Sequence, residues 1–109
     1  MKTAKLDDMV RGWFIGNFES SLYKTNQCEV AVKRYHAGER EKKHFHKIAT
    51  EFTVVISGSI KMNGVNYQAG DIVVMEPNDT ADFYALTDAV NVVVKLPGAN
   101  DDKYVVEEE

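Results

Sequence analysis

The 109-residue sequence contains one cysteine and two prolines, and it has no long apolar run. A single cysteine, Cys28, excludes a disulfide bond within the chain, and its place at the start of an apolar run favours a structural role. No stretch approaches the roughly 18 apolar residues of a membrane-spanning helix. The first residues also lack the apolar core of an export signal. We therefore expect a reduced, cytoplasmic chain with no membrane partner.

Positive charge is also scarce. Thirteen basic residues face 17 acidic ones, which gives a net charge of −4 and a pI near 5.3. The small basic cluster at 40–47 is interrupted by Glu41, so it is not the continuous basic surface that a nucleic acid requires. We expect the acidic residues near the C-terminus to form a solvated tail. They are Asp101, Asp102, Glu107, Glu108 and Glu109.

Short strands separated by turns dominate the pattern, and helical periodicity is rare. The length fits a single domain. Asn63-Gly64 is the strongest hairpin signal, because both residues tolerate a positive φ. The regular spacing of the strands predicts an all-β sandwich or barrel. The predicted strands are 29–35, 50–57, 59–62, 65–67, 71–75, 81–86 and 89–96, with an apolar edge segment at 13–18.

The clearest strand, 50–57, has no purely polar face. Strict alternation places Phe52, Val54 and Ile56 on one face. The other face carries Glu51, Thr53, Val55 and Ser57. Such a strand is typical of a two-layer sandwich or a dimer interface.

Two of the three histidines form a pair that can hold a metal ion. His44 and His46 are two residues apart, so in a strand their rings share a face. Together with Glu51 they offer two imidazoles and a carboxylate, which hold a divalent first-row metal and leave positions open. Strict alternation puts Glu51 on the opposite face from His46, so we expect a bend or bulge between them. His36 is expected at the surface.

These residues resemble a known motif. Gly38, five residues, His44-Phe45-His46, four residues, Glu51, six residues and Gly58 match the first conserved motif of the cupin superfamily. The second cupin motif is similar only at its opening, Gly70-Asp71 and Pro77. Asp79 replaces the usual glycine, and Asp82 stands where the superfamily usually has a third metal-binding histidine. The resemblance covers about residues 28–96, which leaves an N-terminal arm at 1–27 and the acidic tail at 99–109.

The resemblance implies an all-β, single-domain cupin: a jelly-roll β-barrel with a metal between its two sheets. His44, His46 and Glu51 would be metal ligands, completed by Asp82, and the metal would be Fe, Mn, Zn or Ni. Asp82 has a second interpretation as a catalytic base beside the metal. Tyr84 shares the face of Asp82 and is a further catalytic candidate.

The pocket has one feature that alternation leaves open. Lys33 and Tyr35 alternate with Val32 and Arg34, so only one of these pairs faces inward. A cation aimed into a small barrel favours a carboxylate or phosphate on the substrate.

Three functions are compatible with the resemblance. The first is an enzyme, an isomerase, lyase or dioxygenase, that acts on a sugar or carboxylate. The second is a non-catalytic protein that binds a small ligand, and the third is a purely structural barrel. Small cupins usually pair, so we expect a homodimer, with the apolar segment around Trp13, Phe14 and Phe18 as an interface or exchange strand.

Overall fold

The computed structural model describes residues 1–107 and consists of two five-stranded antiparallel sheets. The first sheet contains β1 (Trp13–Ile15), β2 (Glu29–Tyr35), β4 (Thr50–Ser57), β7 (Ile72–Met75) and β9 (Ala89–Leu96), in the order β1-β2-β9-β4-β7. The second sheet contains β3 (Arg40–Phe45), β5 (Ser59–Met62), β6 (Val65–Gln68), β8 (Ala81–Ala85) and β10 (Tyr104–Val105), in the order β10-β3-β8-β5-β6. A short 3-10 turn, Leu6–Asp8, precedes them. Within residues 1–107, no helix is long and apolar enough to span a membrane.

The all-β prediction is confirmed, and the local signals located the strands well. β2, β4, β5 and β9 have the predicted bounds. Asn63 and Gly64 join β5 to β6 with φ values of 49° and 79°, as a tight two-residue turn requires. Gly58 has a φ of 81°, and a Cβ there would lie 2.1 Å from the carbonyl oxygen of Asp88, so glycine is required at this turn between the sheets.

The core lies between the inner faces of the two sheets. In β4, Thr53 and Val55 are buried, whereas Ile56 on the other face is 52% exposed. The inner face of β4 is therefore the one that also carries Glu51. From the second sheet, Ile60 and Phe83 pack into the same cluster, so apolar side chains fill one end of the barrel and leave the other for polar groups.

The outer face of the first sheet is also apolar, in two rows that cross four strands. Cross-strand pairing aligns Val30, Val94, Phe52 and Val74 in one row and Val32, Val92, Val54 and Ile72 in the next. Ile72 is 61% exposed and Val74 is 47% exposed. A continuous apolar face of this kind is typical of interaction surfaces in other proteins.

Both ends of the chain are more ordered than the sequence suggested. Trp13 pairs with Ala31, so the predicted arm or exchange strand is an edge strand of its own sheet. At the other end, β10 pairs with β3, and Asp102 is only 4% exposed. The prediction of a solvated tail is therefore wrong for Asp102, because four hydrogen bonds satisfy its carboxylate, whereas Asp101 and Glu107 are exposed. Glu108 and Glu109 lie outside the described residues.

Candidate metal centre

A β-bulge turns His44 toward the interior. β3 pairs with β8 through Glu41 opposite Phe83 and His44 opposite Ala81, so β3 contains one extra residue between these pairs. In a regular strand Glu41 and His44 would lie on opposite faces, because three positions separate them, and the bulge brings them to the same face. With it, His44 is buried, and His46 two positions later is 2% exposed. Their ring centroids are 5.3 Å apart.

Glu51 reaches the histidines from the opposite sheet. After His46 the chain turns through residues 47–49, leaves the second sheet and enters β4 of the first sheet. The inner faces of the two sheets oppose each other, so Glu51 on one faces the histidines on the other. The expected bend is present, and it is a corner between sheets. The ligand atoms of His44, His46 and Glu51 all lie within 4.8 Å of one another.

Asp102 holds this corner in place. Its Oδ1 accepts hydrogen bonds from the backbone N–H groups of Lys47 (3.0 Å) and Ile48 (3.2 Å). Its Oδ2 accepts from Ile48 (3.1 Å) and Ala49 (3.0 Å). Although burial acts to raise the pKa of Asp102, these hydrogen bonds hold that pKa below its ordinary value. One ionised side chain therefore fixes the whole connection between the histidine pair and Glu51.

Each of the two imidazoles has a ring nitrogen that is available to bind a metal ion. His44 Nδ1 lies 3.0 Å from the carbonyl oxygen of Lys42, which can only accept, so Nδ1 is the donor and Nε2 is the nitrogen that is left for a metal. Burial, with the positive charge of Lys95 and the neighbouring His44, lowers the pKa of His46 to about 4. His46 is therefore neutral at pH 7. Its Nε2 is buried and has no hydrogen-bond partner among residues 1–107.

Glu51 completes a donor set that fits a divalent ion. Burial raises the pKa of Glu51, an effect that the nearby Lys95 opposes. A buried carboxylate gains from a cation, and a buried imidazole nitrogen without a partner is the atom that a metal satisfies. The chemistry of His44, His46 and Glu51 thus agrees with their geometry.

The three residues line a cavity of about 150 Å³ that also receives side chains from the first sheet. Lys33 and Tyr35 face inward, whereas Arg34 is exposed and pairs with Asp7 at 2.6 Å, which settles the alternative that the sequence left open. The Tyr35 ring packs on Phe83 with centroids 4.4 Å apart. Burial and the nearby carboxylate of Glu41 raise the pKa of Tyr35, so it keeps its proton at neutral pH.

No family model matches the sequence, and no curated protein matches it. Solved structures do resemble it. An uncharacterized conserved protein with a double-stranded beta-helix domain from Klebsiella pneumoniae is 24% identical, with a TM-score of 0.72 over 99% of both chains. An RmlC-like cupin from Shewanella frigidimarina is 19% identical, with a TM-score of 0.64 over 70% of this chain and 71% of the other. This chain has the cupin fold. At these identities the likeness shows the fold and not an activity.

A third similar structure matches nearly the whole chain. DMSP lyase DddQ from Ruegeria pomeroyi is 18% identical, with a TM-score of 0.72 over 97% of this chain and 58% of the lyase. The match therefore includes the terminal segments that lie outside the two cupin motifs.

Asp82 does not join the candidate metal group, so its prediction as a ligand is corrected. Ala81 and Phe83 of β8 point inward, which leaves Asp82 exposed on the outer face. Its Oδ1 accepts a hydrogen bond of 2.7 Å from the backbone of Asn63 at the hairpin turn.

Tyr84 lies on the same outer face as Asp82, where its ring packs beneath Arg40 at 4.9 Å. Neither residue lines the cavity of the metal group, so the structure does not bring the two predicted catalytic residues to the candidate centre. His36 is exposed, as expected.

Sequence reasoning missed several polar residues in and around the centre. Asn91 and Lys95 lie on the inner face of β9, Glu41 lies on β3 and Asp102 lies near the C-terminus. Alternation in 89–96 could have placed Asn91 and Lys95 on one face, because both are at odd positions and the even positions of this strand are all apolar. Nothing local marks Asp102, because it acts on residues more than fifty positions away.

Proposed function

We propose that this cupin binds a divalent metal ion through His44, His46 and Glu51 and acts on a small polar molecule of the sugar or carboxylate type. The observation that carries the proposal is the convergence of three donor atoms within 4.8 Å at His44, His46 and Glu51. The Nε2 atom of His46 is also buried and has no hydrogen-bond partner among residues 1–107. The donor set suits Fe, Mn, Zn or Ni. A bound ion supplies Lewis-acid polarisation of a substrate oxygen.

The residues that line the cavity limit the size of the substrate and provide groups that can bind it. The cavity of about 150 Å³ is smaller than the roughly 300 Å³ at which sites for drug-sized ligands begin, so the substrate is small. Tyr35 keeps its proton and can donate a hydrogen bond to a substrate oxygen. Similar folds include the DMSP lyase and a sugar phosphate isomerase from Silicibacter pomeroyi (24% identical, TM-score 0.60 over 64% of this chain and 50% of the other), which supports lyase or isomerase chemistry, with dioxygenation as a third reaction class.

A second candidate is a pocket that binds a sugar or carboxylate without turnover. The position of Asp82 and Tyr84 on the outer face favours it, because it removes both predicted proton-transfer groups from the cavity.

Turnover assays separate the two candidates. The purified protein is loaded with each metal or stripped with a chelator, and each form is incubated with keto sugars, uronates and catechols. Turnover that depends on the metal supports the enzyme, whereas metal-dependent binding without turnover supports the binding protein. A protein that takes up no metal and binds none of these compounds contradicts both.

We also propose that two copies of this cupin pair through the outer face of the first sheet in the cytoplasm. The two apolar rows on that face, with Ile72 and Val74 largely exposed, support the pairing. The single cysteine, Cys28, is compatible with a reducing compartment.

A further inference from the structure

Basic side chains line the cavity that contains the candidate metal centre. Lys95 on β9 lies directly across from Glu51, and Lys33 on β2 lies directly across from Asn91, all on the inner face of the first sheet. Arg11 and Lys103 also line the cavity, so four basic side chains line it. The acidic residues that line it are Glu41 and Glu51 alone. The cavity is therefore positive even before a divalent ion enters.

The two inner lysines, Lys33 and Lys95, form no ion pair with any carboxylate of the described residues. Among residues 1–107, no carboxylate oxygen lies within 4.0 Å of the Nζ atom of Lys33 or Lys95, whereas Lys103 approaches Glu41 at 4.0 Å. Both ammonium groups instead lie beside the Trp13 ring, at 5.8 Å and 5.1 Å from its centroid. Burial lowers the pKa of Lys33. Glu41 and Glu51 act on these two ammonium groups only at longer range. A partly buried charge without an ion-pair partner is unfavourable, and an anion that enters the cavity removes that cost.

Asn91, on the same inner face, has a buried side-chain oxygen that lacks a hydrogen-bond partner among the described residues. It lies in the middle of β9, two positions after Ala89 and four before Lys95, and is 1% exposed. Its Oδ1 is buried and has no hydrogen-bond partner among the described residues. An amide oxygen only accepts hydrogen bonds, so its missing partner is a donor such as a hydroxyl group.

We infer that the cavity binds a small hydroxy acid, whose carboxylate is held by Lys33 and Lys95 and whose hydroxyl donates to Oδ1 of Asn91. This inference rests on the proposed function, since the same cavity holds the metal, but it depends on residues outside the ligand set. The volume corresponds to about five water molecules, which limits the bound part of the ligand to a few carbon atoms.

An adjoining depression gives the ligand a way in. It has a volume of about 420 Å³ and shares Arg11, Lys33, Tyr35 and Glu41 with the cavity. Arg11 and Lys33 thus line both spaces, and they attract an anion from the outer space toward the inner one.

Three matched probes test the inference by isothermal titration calorimetry on the metal-loaded and the chelator-stripped protein. Glycerate carries a carboxylate and hydroxyls, glycerol has hydroxyls only, and propionate has a carboxylate only. We expect glycerate to bind at least tenfold more tightly than either of the others. Raising the salt concentration should weaken the binding of glycerate and leave that of glycerol unchanged.

Variants assign the effect to residues. K33M and K95M should each weaken glycerate binding about tenfold or more, and N91L should reduce it to the level of propionate. K61M is the matched control, because Lys61 is exposed on β5 and does not line the cavity. Circular dichroism and metal content confirm that each variant is folded and loaded, and the salt dependence of the wild type tests the charge effect without any substitution.

The outcomes distinguish this inference from the proposed function. Equal binding of glycerate and glycerol, or glycerate binding that K33M and K95M leave intact, overturns the inference. Glycerate binding that disappears with the metal but ignores both lysines also overturns it and leaves the metal site standing. If the protein takes up no metal yet binds glycerate through the lysines, the inference stands and the proposed function fails.

Discussion

His46 is neutral because it is buried, and this makes metal-free stability depend on pH. Its pKa is about 4 in the folded chain and 6.5 when exposed, so the unfolded chain takes up the proton first as the pH falls. The stability that comes from keeping His46 neutral is therefore fully present above pH 6.5, and it is lost as the pH falls from 6.5 to about 4. At about 1.4 kcal/mol for each pKa unit, the loss is roughly 3 kcal/mol. Urea unfolding of chelator-treated protein at pH 7.5 and 4.5 measures it.

His46→Gln is the control, because glutamine has a similar polar surface and does not titrate. The stability of H46Q should fall less between the two pH values, by the amount that His46 contributes. Equal losses in both proteins would show that the pKa of His46 is not depressed.

At the scale of the strands, the corner between β3 and β4 depends on one carboxylate, that of Asp102. In Asp102→Asn, the amide keeps one acceptor oxygen and turns a donor toward backbone N–H groups that now have no partner. We expect a loss of about 1–3 kcal/mol in the free energy of unfolding, measured by urea titration. Metal affinity should fall about tenfold or more, because the corner positions Glu51 relative to His46.

Asp101→Asn is the matched control for Asp102→Asn. Asp101 is the adjacent residue and is exposed, and its φ of 58° is one that asparagine adopts readily. It should keep the stability and metal affinity of the wild type. If D102N also keeps both, Asp102 does not hold the corner.

The strands and the ligand triplet were predictable because their signals are local. His44, His46 and Glu51 lie within eight residues, and alternation and turn residues marked β4 and the β5–β6 hairpin. Asp82 was misplaced because motif spacing does not say which face of β8 it occupies. Alternation against Ala81 and Phe83, with the hydrogen bond to Asn63, decides that.

Other parts of the site depend on contacts that are distant in sequence. The hydrogen bonds of Asp102 to the corner join residues 53 to 55 positions apart. Lys33 and Lys95 come together only because β2 and β9 pair in one particular register. Neither the pairing nor the extra residue in β3 leaves a pattern in the sequence, so the structure was needed to find them.

At the scale of the whole molecule, the apolar outer face of the first sheet predicts a dimer. We expect the protein to sediment at twice the 12.3 kDa mass of one chain in analytical ultracentrifugation. Ile72→Lys places a charge at the most exposed position of the two apolar rows, on the β7 edge of the proposed interface, and should give a monomer.

Leu22→Lys is the control for Ile72→Lys, because Leu22 is 56% exposed and lies outside the two apolar rows. It should remain a dimer. A wild-type monomer at all concentrations, or a dimer that I72K leaves unchanged, contradicts the pairing.

The central claim is that three side chains from two facing sheets hold one metal ion. Elemental analysis of the purified wild type beside the His44→Ala/His46→Ala variant tests it most directly. The account predicts close to one divalent ion per chain in the wild type and almost none in a folded variant. Equal metal in the two proteins would contradict it.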